Sequence, residues 1–348
     1  MSRKQQYTSI EGMKVISAIG ILLMHIQANT EYRIKGVFYN NIITNLGDFV
    51  FFFMIISSFG ICCGYYEKLR NNDISIGEFY SKRFKKLWPF FSLLVCIDLI
   101  VNPSLHNLME GFANITLCFG LLPNAKMEVI GVGWNLGIIF VFYMIFPFII
   151  FIMEKRWRLW LAFAISIIFH LLCIVYFCDE THVIAEYMKK TNIVFCIMFF
   201  LVGAIIYLYK DYLTNLLLKY KQIILVLSLI GTWIYFSTEP EVLEKDLFRY
   251  IKLLCVFSIW LIYLILEETK ILYNTVVIFL KDINYEIYLS HMFIFRIIEK
   301  CGLLYIFGNG WQSYVIVSAL VFIGTIIFSK SVKKVGRTLT NSKMKLVS

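Results

Sequence analysis

The chain has 348 residues, of which 59% are hydrophobic and only 16% charged, with a formal net charge of +10. Soluble domains run nearer about 45–50% apolar with about a quarter of their residues charged, so a water-soluble fold is excluded and lipid must solvate much of the chain. The apolar runs follow one another from residue 12 to residue 329. No polar stretch is long enough to hold a folded nucleic-acid-binding domain, so the basic excess needs a different explanation.

Taken in chain order, runs near the length of about 20 apolar residues that a bilayer demands predict ten spans. They lie at 12–28, 47–66, 87–102, 134–153, 159–178, 192–209, 222–236, 250–266, 283–300 and 311–329. The first carries no small-residue cleavage site after it and is expected to stay as an anchor, not a signal peptide. The run at 111–123 is too short to cross and reads as interfacial or re-entrant. The expected fold is all-α: a polytopic membrane protein of about ten transmembrane helices with both termini cytoplasmic, in the cell (cytoplasmic or inner) membrane. A single integral membrane domain is expected over 1–348, with its core at about 8–330 and a basic cytoplasmic tail at 331–348.

The charges test that topology through the excess of Lys and Arg on the cytoplasmic side of membrane proteins. With the N-terminus inside, twenty-two Lys and Arg residues fall in inside segments and eight on the outside, counting Lys300 at the outer end of the ninth span, while Lys14, Lys252 and Arg296 fall within spans. The basic excess is therefore mostly topological.

An ionisable side chain inside a bilayer costs roughly 2.5–3.5 kcal/mol on insertion scales, so each one is a candidate for function. Lys14 and His25 stand eleven residues apart in the first span. Three helical turns put them on one face, separated by about 16 Å along the axis. Glu11, Ser17, Ala18 and Ile21 share that face, so the stripe is expected to turn into the bundle. Lys14 lies towards the inner end, where snorkelling to the headgroups is the competing explanation. His25 lies towards the outer end and is the residue type best suited to move a proton near neutral pH.

His291 lies mid-span among Glu286, Tyr288 and Ser290 and is the second candidate, whereas His170 stands alone in an apolar helix and reads as structural. Lys82, Arg83, Lys85 and Lys86 crowd the inner end of the third span, which suits either anionic lipid or the phosphates of a ligand. The nine cysteines show no metal-ligand spacing and five histidines lack clustered carboxylates, so no metal site is expected.

Several of these segments, in order, resemble acyltransferase family 3, the integral membrane enzymes that O-acylate sugars and other cell-surface molecules. Lys14-x10-His25 is similar to the family's basic-x10-His signature, with Lys in place of the commoner Arg. "DFVFFFMIISSFGI" (48–61) resembles the Phe-rich second helix, with Ser57, Ser58 and Phe59 at the Ser-Gly-aromatic places, so that Ser58 stands where Gly is usual. Arg83-Phe-Lys-Lys86 resembles an Arg-x-x-Arg pair. "VGWNLGIIFVFYMIFP" (132–147), which contains Trp134, resembles a Trp-x-Leu run followed by an aromatic and Pro. The glutamates that some family members carry after it are missing here, so the resemblance implies no carboxylate role at that place. "FFLVGAIIY" (199–207) and "INYEIYLSHMFIF" (283–295) resemble the late Gly-containing helix and the Tyr-Leu-x-His segment.

The resemblance implies transfer of an acyl group, most often acetyl, from cytoplasmic acyl-CoA to a hydroxyl at or beyond the outer leaflet. The acceptor is a surface glycan or a lipid-linked saccharide. It implies His25 and Lys14 as catalytic residues, with His25 either taking the hydroxyl proton or itself accepting the acyl group. Arg83, Lys86, Trp134, His291, Glu11 and Ser57 are the implied substrate-binding set. Acyl-CoA enters as a donor substrate, and no permanently bound cofactor is expected. The rival from another class is a transporter or flippase of lipid-linked saccharides using the same polar stripe, although no repeat between the two halves supports it. A polysaccharide polymerase would need a large polar outer loop, and the stretch at 103–133 is modest and mostly uncharged.

Overall fold

The computed structural model describes residues 7–122, 127–178, 181–183, 187–266, 272 and 274–347, with the backbone alone described at 266 and 336–347. Lys126, Lys270 and the N-terminal Arg3 and Lys4, which entered the charge count, lie outside the described residues. Among the described residues there are helices and turns and no strand. That is the outcome lipid imposes, because a helix satisfies its backbone hydrogen bonds within one segment.

Helix α1 spans Thr8–Ala28, and α2 spans Phe49–Arg70 after a π-helical turn at Phe38–Ile43. Lys68 and Arg70 in the last turn of α2 face the negative end of its dipole. Helix α3 runs Ile76–Val101 and opens on Ser75, whose side chain accepts from the Glu78 N–H, the Ser-x-x-Glu start expected of a capping box. Ser104 caps α4 (Leu105–Ile115) in the same way through the Asn107 N–H. Helices α5 (Trp134–Met153) and α6 (Arg156–Leu172) follow. Helix α7 covers Ile193–Ser237 but loses helical geometry at Tyr220.

The remaining helices are α8 (Pro240–Lys245), α9 (Arg249–Leu266), α10 (Thr275–Lys281), α11 (Asn284–Lys300) and α12 (Trp311–Val347). Helix α11 ends on Gly302 at φ +71°, with Leu303 N–H donating to Ile298 O and Gly302 N–H to Glu299 O. This is a Schellman stop, and its left-handed residue favours glycine.

Each of the ten expected spans falls on a helix. Six segments among the described residues are long and apolar enough to cross a membrane: Thr8–Ala28, Phe38–Arg70, Gly131–Met153, Arg156–Phe177, Ile193–Ser237 and Trp311–Val335. The expected sixth and seventh spans share α7 and are divided only by the break at Tyr220. Of the short run at 111–123, the described residues 111–122 are the end of α4 followed by tight turns.

The chain forms two compact units, one of residues 1–10 and 50–268, the other of residues 11–49 and 269–348. In the first, α2 and α7 approach to backbone contact. The Ser58 hydroxyl donates to Phe200 O at 2.5 Å, and a Cβ at Gly203 would stand 2.4 Å from Ile55 O. Ser58 occupies α2 where the family resemblance favours Gly, and here α7 supplies the glycine for close approach. Phe142 stacks on Phe200 at 4.1 Å between ring centroids, tying α5 into the same core. In the second unit, Leu22 and Ile26 of α1 pack with Phe295 of α11 and Val317 and Val321 of α12.

Gly203→Ala should therefore push α2 and α7 apart and destabilise the protein by roughly 1–3 kcal/mol, the usual penalty of overpacking. Gly60, also on α2, has nothing within 4 Å of its added Cβ. Thermal unfolding in detergent checks this: Gly203→Ala lowers the midpoint and Gly60→Ala does not.

Candidate active site

In the unit formed by residues 11–49 and 269–348, α1 carries both of its charges in its first two turns. Lys14 Nζ lies 2.7 Å from Glu11 Oε1, with side chains 26% and 44% exposed. The Lys14 ammonium is thus neutralised locally, one turn away, and a pair so exposed contributes little stability. The structure does not bring Lys14 to His25: both lie on one helix, three turns apart, as their spacing requires.

His25 meets another imidazole. Its ring centroid lies 5.2 Å from that of His291 with the planes tilted by 38°. His25 is half-buried and His291 is fully buried. His291 Nδ1 faces the Ile287 carbonyl one turn back at 3.4 Å. A carbonyl only accepts, so that contact places the ring proton on Nδ1. Nε2 is then the lone-pair nitrogen, and it is buried with no hydrogen-bond partner.

Beneath this pair on α11, the Ser290 hydroxyl donates to Glu286 O at 2.8 Å. Glu286, 7% exposed, holds Lys333 of α12 at 2.9 Å through Oε1, and Lys333 also donates to the Asp282 carbonyl. The second carboxylate oxygen of Glu286 has no partner. Sequence reading placed Lys333 only among the topological charges. Nothing in the linear order links it to Glu286.

In the unit formed by residues 1–10 and 50–268, the basic cluster before the third expected span resolves into one inward and three outward side chains. Lys82, Lys85 and Lys86 are exposed, and only Arg83 is half-buried. Arg83 Nη2 donates to the Tyr65 hydroxyl at 2.6 Å. Its guanidinium carbon lies 4.6 Å from the Tyr65 ring centre and 6.0 Å from that of Tyr143, within cation–π range. The Tyr143 side chain interacts with both Arg83 and Ser57, which brings two of the resemblance-derived positions together. Arg83 Nε is buried and unpartnered, so the fork retains a donor for an anion. Tyr65 and Tyr143 were missed by sequence reading, although Tyr143 lies four residues before Pro147 within the α5 run quoted for the resemblance.

Trp134 opens α5 with Lys190 Nζ 5.4 Å from its ring centre. It lines a small pocket with Phe119, Met127, Met188 and Thr191. His170, by contrast, is enclosed against the Phe195 ring, with Nδ1 2.8 Å from Phe195 O.

A family model described as an acyltransferase domain matches residues 7–330 of the chain. No curated protein and no solved structure matches it.

The Glu286–Lys333 pair gives a direct test of this geometry. Lys333→Met strands the Glu286 carboxylate and should destabilise the protein by roughly 1–3 kcal/mol. Adding Glu286→Gln should return most of that loss. The double-mutant cycle on unfolding midpoints reads the coupling, and additive single effects would refute the pairing.

Proposed function

Because the chain belongs to acyltransferase family 3, we propose that it is a multi-pass membrane O-acyltransferase that moves an acyl group from cytoplasmic acyl-CoA to a sugar hydroxyl. The donor group is acetyl and the acceptor a cell-surface polysaccharide or its lipid-linked precursor. The reading includes about ten spans in the cytoplasmic membrane with both termini inside, in keeping with the charge asymmetry. The observation that carries it is the imidazole pair of His25 and His291.

Attack of an alcohol on a thioester needs the hydroxyl proton removed as the C–O bond forms. In this reading His25 takes that proton, the tetrahedral adduct collapses, and the C–S bond breaks to release the CoA thiolate. The proton then passes to the thiolate, so charge balances at the end of the cycle. One feature supports a base over a nucleophile. His291 stands beside His25 in position to hold its ring by packing, and the ring thus held can present its lone pair to a hydroxyl. Donor phosphates fit Arg83, whose planar fork suits bidentate phosphate contact, with Tyr65 and Tyr143 fixing the fork and exposed Lys86 adding field. Trp134 offers an aromatic face to a sugar ring.

Membranes bearing the protein are expected to transfer label from radiolabelled acetyl-CoA to surface glycan. His25→Ala and His291→Ala should each lower transfer by at least about a hundredfold, the lower range for general-base catalysis. Arg83→Ala should chiefly raise KM for the donor. Undiminished transfer by His25→Ala would remove the imidazole pair from the reaction. Saccharide movement across the membrane without any acyl transfer would identify a flippase instead.

A further inference from the structure

Among its described residues, the unit of residues 1–10 and 50–268 holds three buried side-chain amide atoms without a hydrogen-bond partner. Asn114, on α4, is fully buried and neither Nδ2 nor Oδ1 has a partner; Asn135, the second residue of α5, is 2% exposed and its Oδ1 is likewise unpartnered. Each such atom costs roughly 1–3 kcal/mol compared with a paired one, and leucine would fill the same space without that cost. The surroundings offer them little. Phe91 stacks on Phe119 at 5.7 Å, and the two rings press on the bare backbone of Gly133 and Gly137, where added Cβ atoms would come within 2.8 and 2.5 Å.

The positions of the two asparagines relative to Arg83 are informative. The Trp88 indole N–H donates to Ile115 O at 3.0 Å, which sets the end of α4, and Asn114 with it, at the level of Trp88. Trp88 lies five residues beyond Arg83 on α3, about 7.5 Å along the axis. Asn135 lies eight residues from Tyr143, the ring beside Arg83, which is about 12 Å along α5. Both amides therefore lie away from the guanidinium in the direction of the Trp134 end of α5, one nearer and one farther.

We propose that Asn114 and Asn135 bind the pantetheine arm of acyl-CoA, each pairing with one of its two amides. The proposal rests on the acyl-CoA reading above. Pantetheine is slender and mostly methylene, and it carries two secondary amides, each with one donor and one acceptor. A carboxamide side chain presents both complements at once. An anionic head held at Arg83 leaves such an arm to run along α3 and α5 towards Trp134, taking the place of the Phe91 and Phe119 rings that lie against the Gly133 and Gly137 backbone in the ligand-free structure. A sugar ring would need several polar partners at one level, and here two amides are spaced along the helices among rings. The arm would deliver its thioester towards the pocket beside Trp134.

Binding to the purified full-length protein in lipid nanodiscs tests this with two probes: CoA, and 3′,5′-adenosine diphosphate, which keeps phosphates and lacks pantetheine. Asn114→Leu and Asn135→Leu should each weaken CoA about tenfold, the equivalent of one lost hydrogen-bonded pair. Binding of 3′,5′-adenosine diphosphate should stay within twofold of wild type. Unfolding midpoints of the ligand-free variants should hold or rise, because leucine removes orphan amides. Unchanged CoA binding in both variants, or equal weakening of both probes, overturns the inference and leaves the acyl-CoA reading standing. Wild-type protein that binds no CoA overturns the reading itself, and the inference with it.

Discussion

A bilayer supplies no hydrogen bonds, so every polar group within the spans must be satisfied by the chain itself or by what it binds. The backbone meets that constraint by being helical over most of the described residues, with turns between the helices. Charged side chains meet it by pairing, as Lys14 does with Glu11, Lys333 with Glu286 and Arg83 with Tyr65. Against that background the groups left without partners stand out. Among the described residues they include His291 Nε2, Arg83 Nε, both amide atoms of Asn114 and Oδ1 of Asn135, beside others such as Glu286 Oε2 and His170 Nε2. Each lies on a helix whose packing is otherwise close, so its lack of a partner is a local property and not a sign of loose structure.

Close packing in turn depends on where the chain places small residues. Gly203 lets α7 reach the α2 backbone, and Ser58 on the facing helix spends its hydroxyl on Phe200 O. Gly137 admits the Phe119 ring to the face of α5, and Gly133 admits Phe91. These approaches bring Tyr143 and Trp134, on one helix, to two different tasks: one ring beside the buried guanidinium, the other at the mouth of a pocket. A β-branched residue at any of these glycines would move an aromatic wall of the proposed donor site.

The two candidate centres, one in each unit, differ in chemistry. Around Arg83 the groups are cationic and aromatic, suited to holding an anion and a ring. Around His25 they are imidazoles, suited to moving a proton. Glu286 and Lys333 neutralise one another one to two turns before His291, so no full charge sits unopposed there.

Much of the fold was legible in the sequence because lipid makes helix the default and hydropathy marks each helix in the linear order. All ten expected spans fall on helices for that reason. Alignment of Lys14 and His25 on one face followed from helical period alone, and the capping box at Ser75 and Glu78 is a local pattern. The break at Tyr220 within α7 had no equally local sign. The site was legible only in part. Sequence singled out His25, His291 and Arg83 one at a time, yet their partners depend on which helices pack together. The His25–His291 contact joins α1 to α11, the Lys333–Glu286 pair joins α12 to α11, and the Arg83–Tyr65 bond joins α3 to α2. Hydropathy fixes which segments leave water, because that depends on composition within a segment. Which side chains meet across segments depends on shape at the helix contacts, and only the tertiary structure decides it.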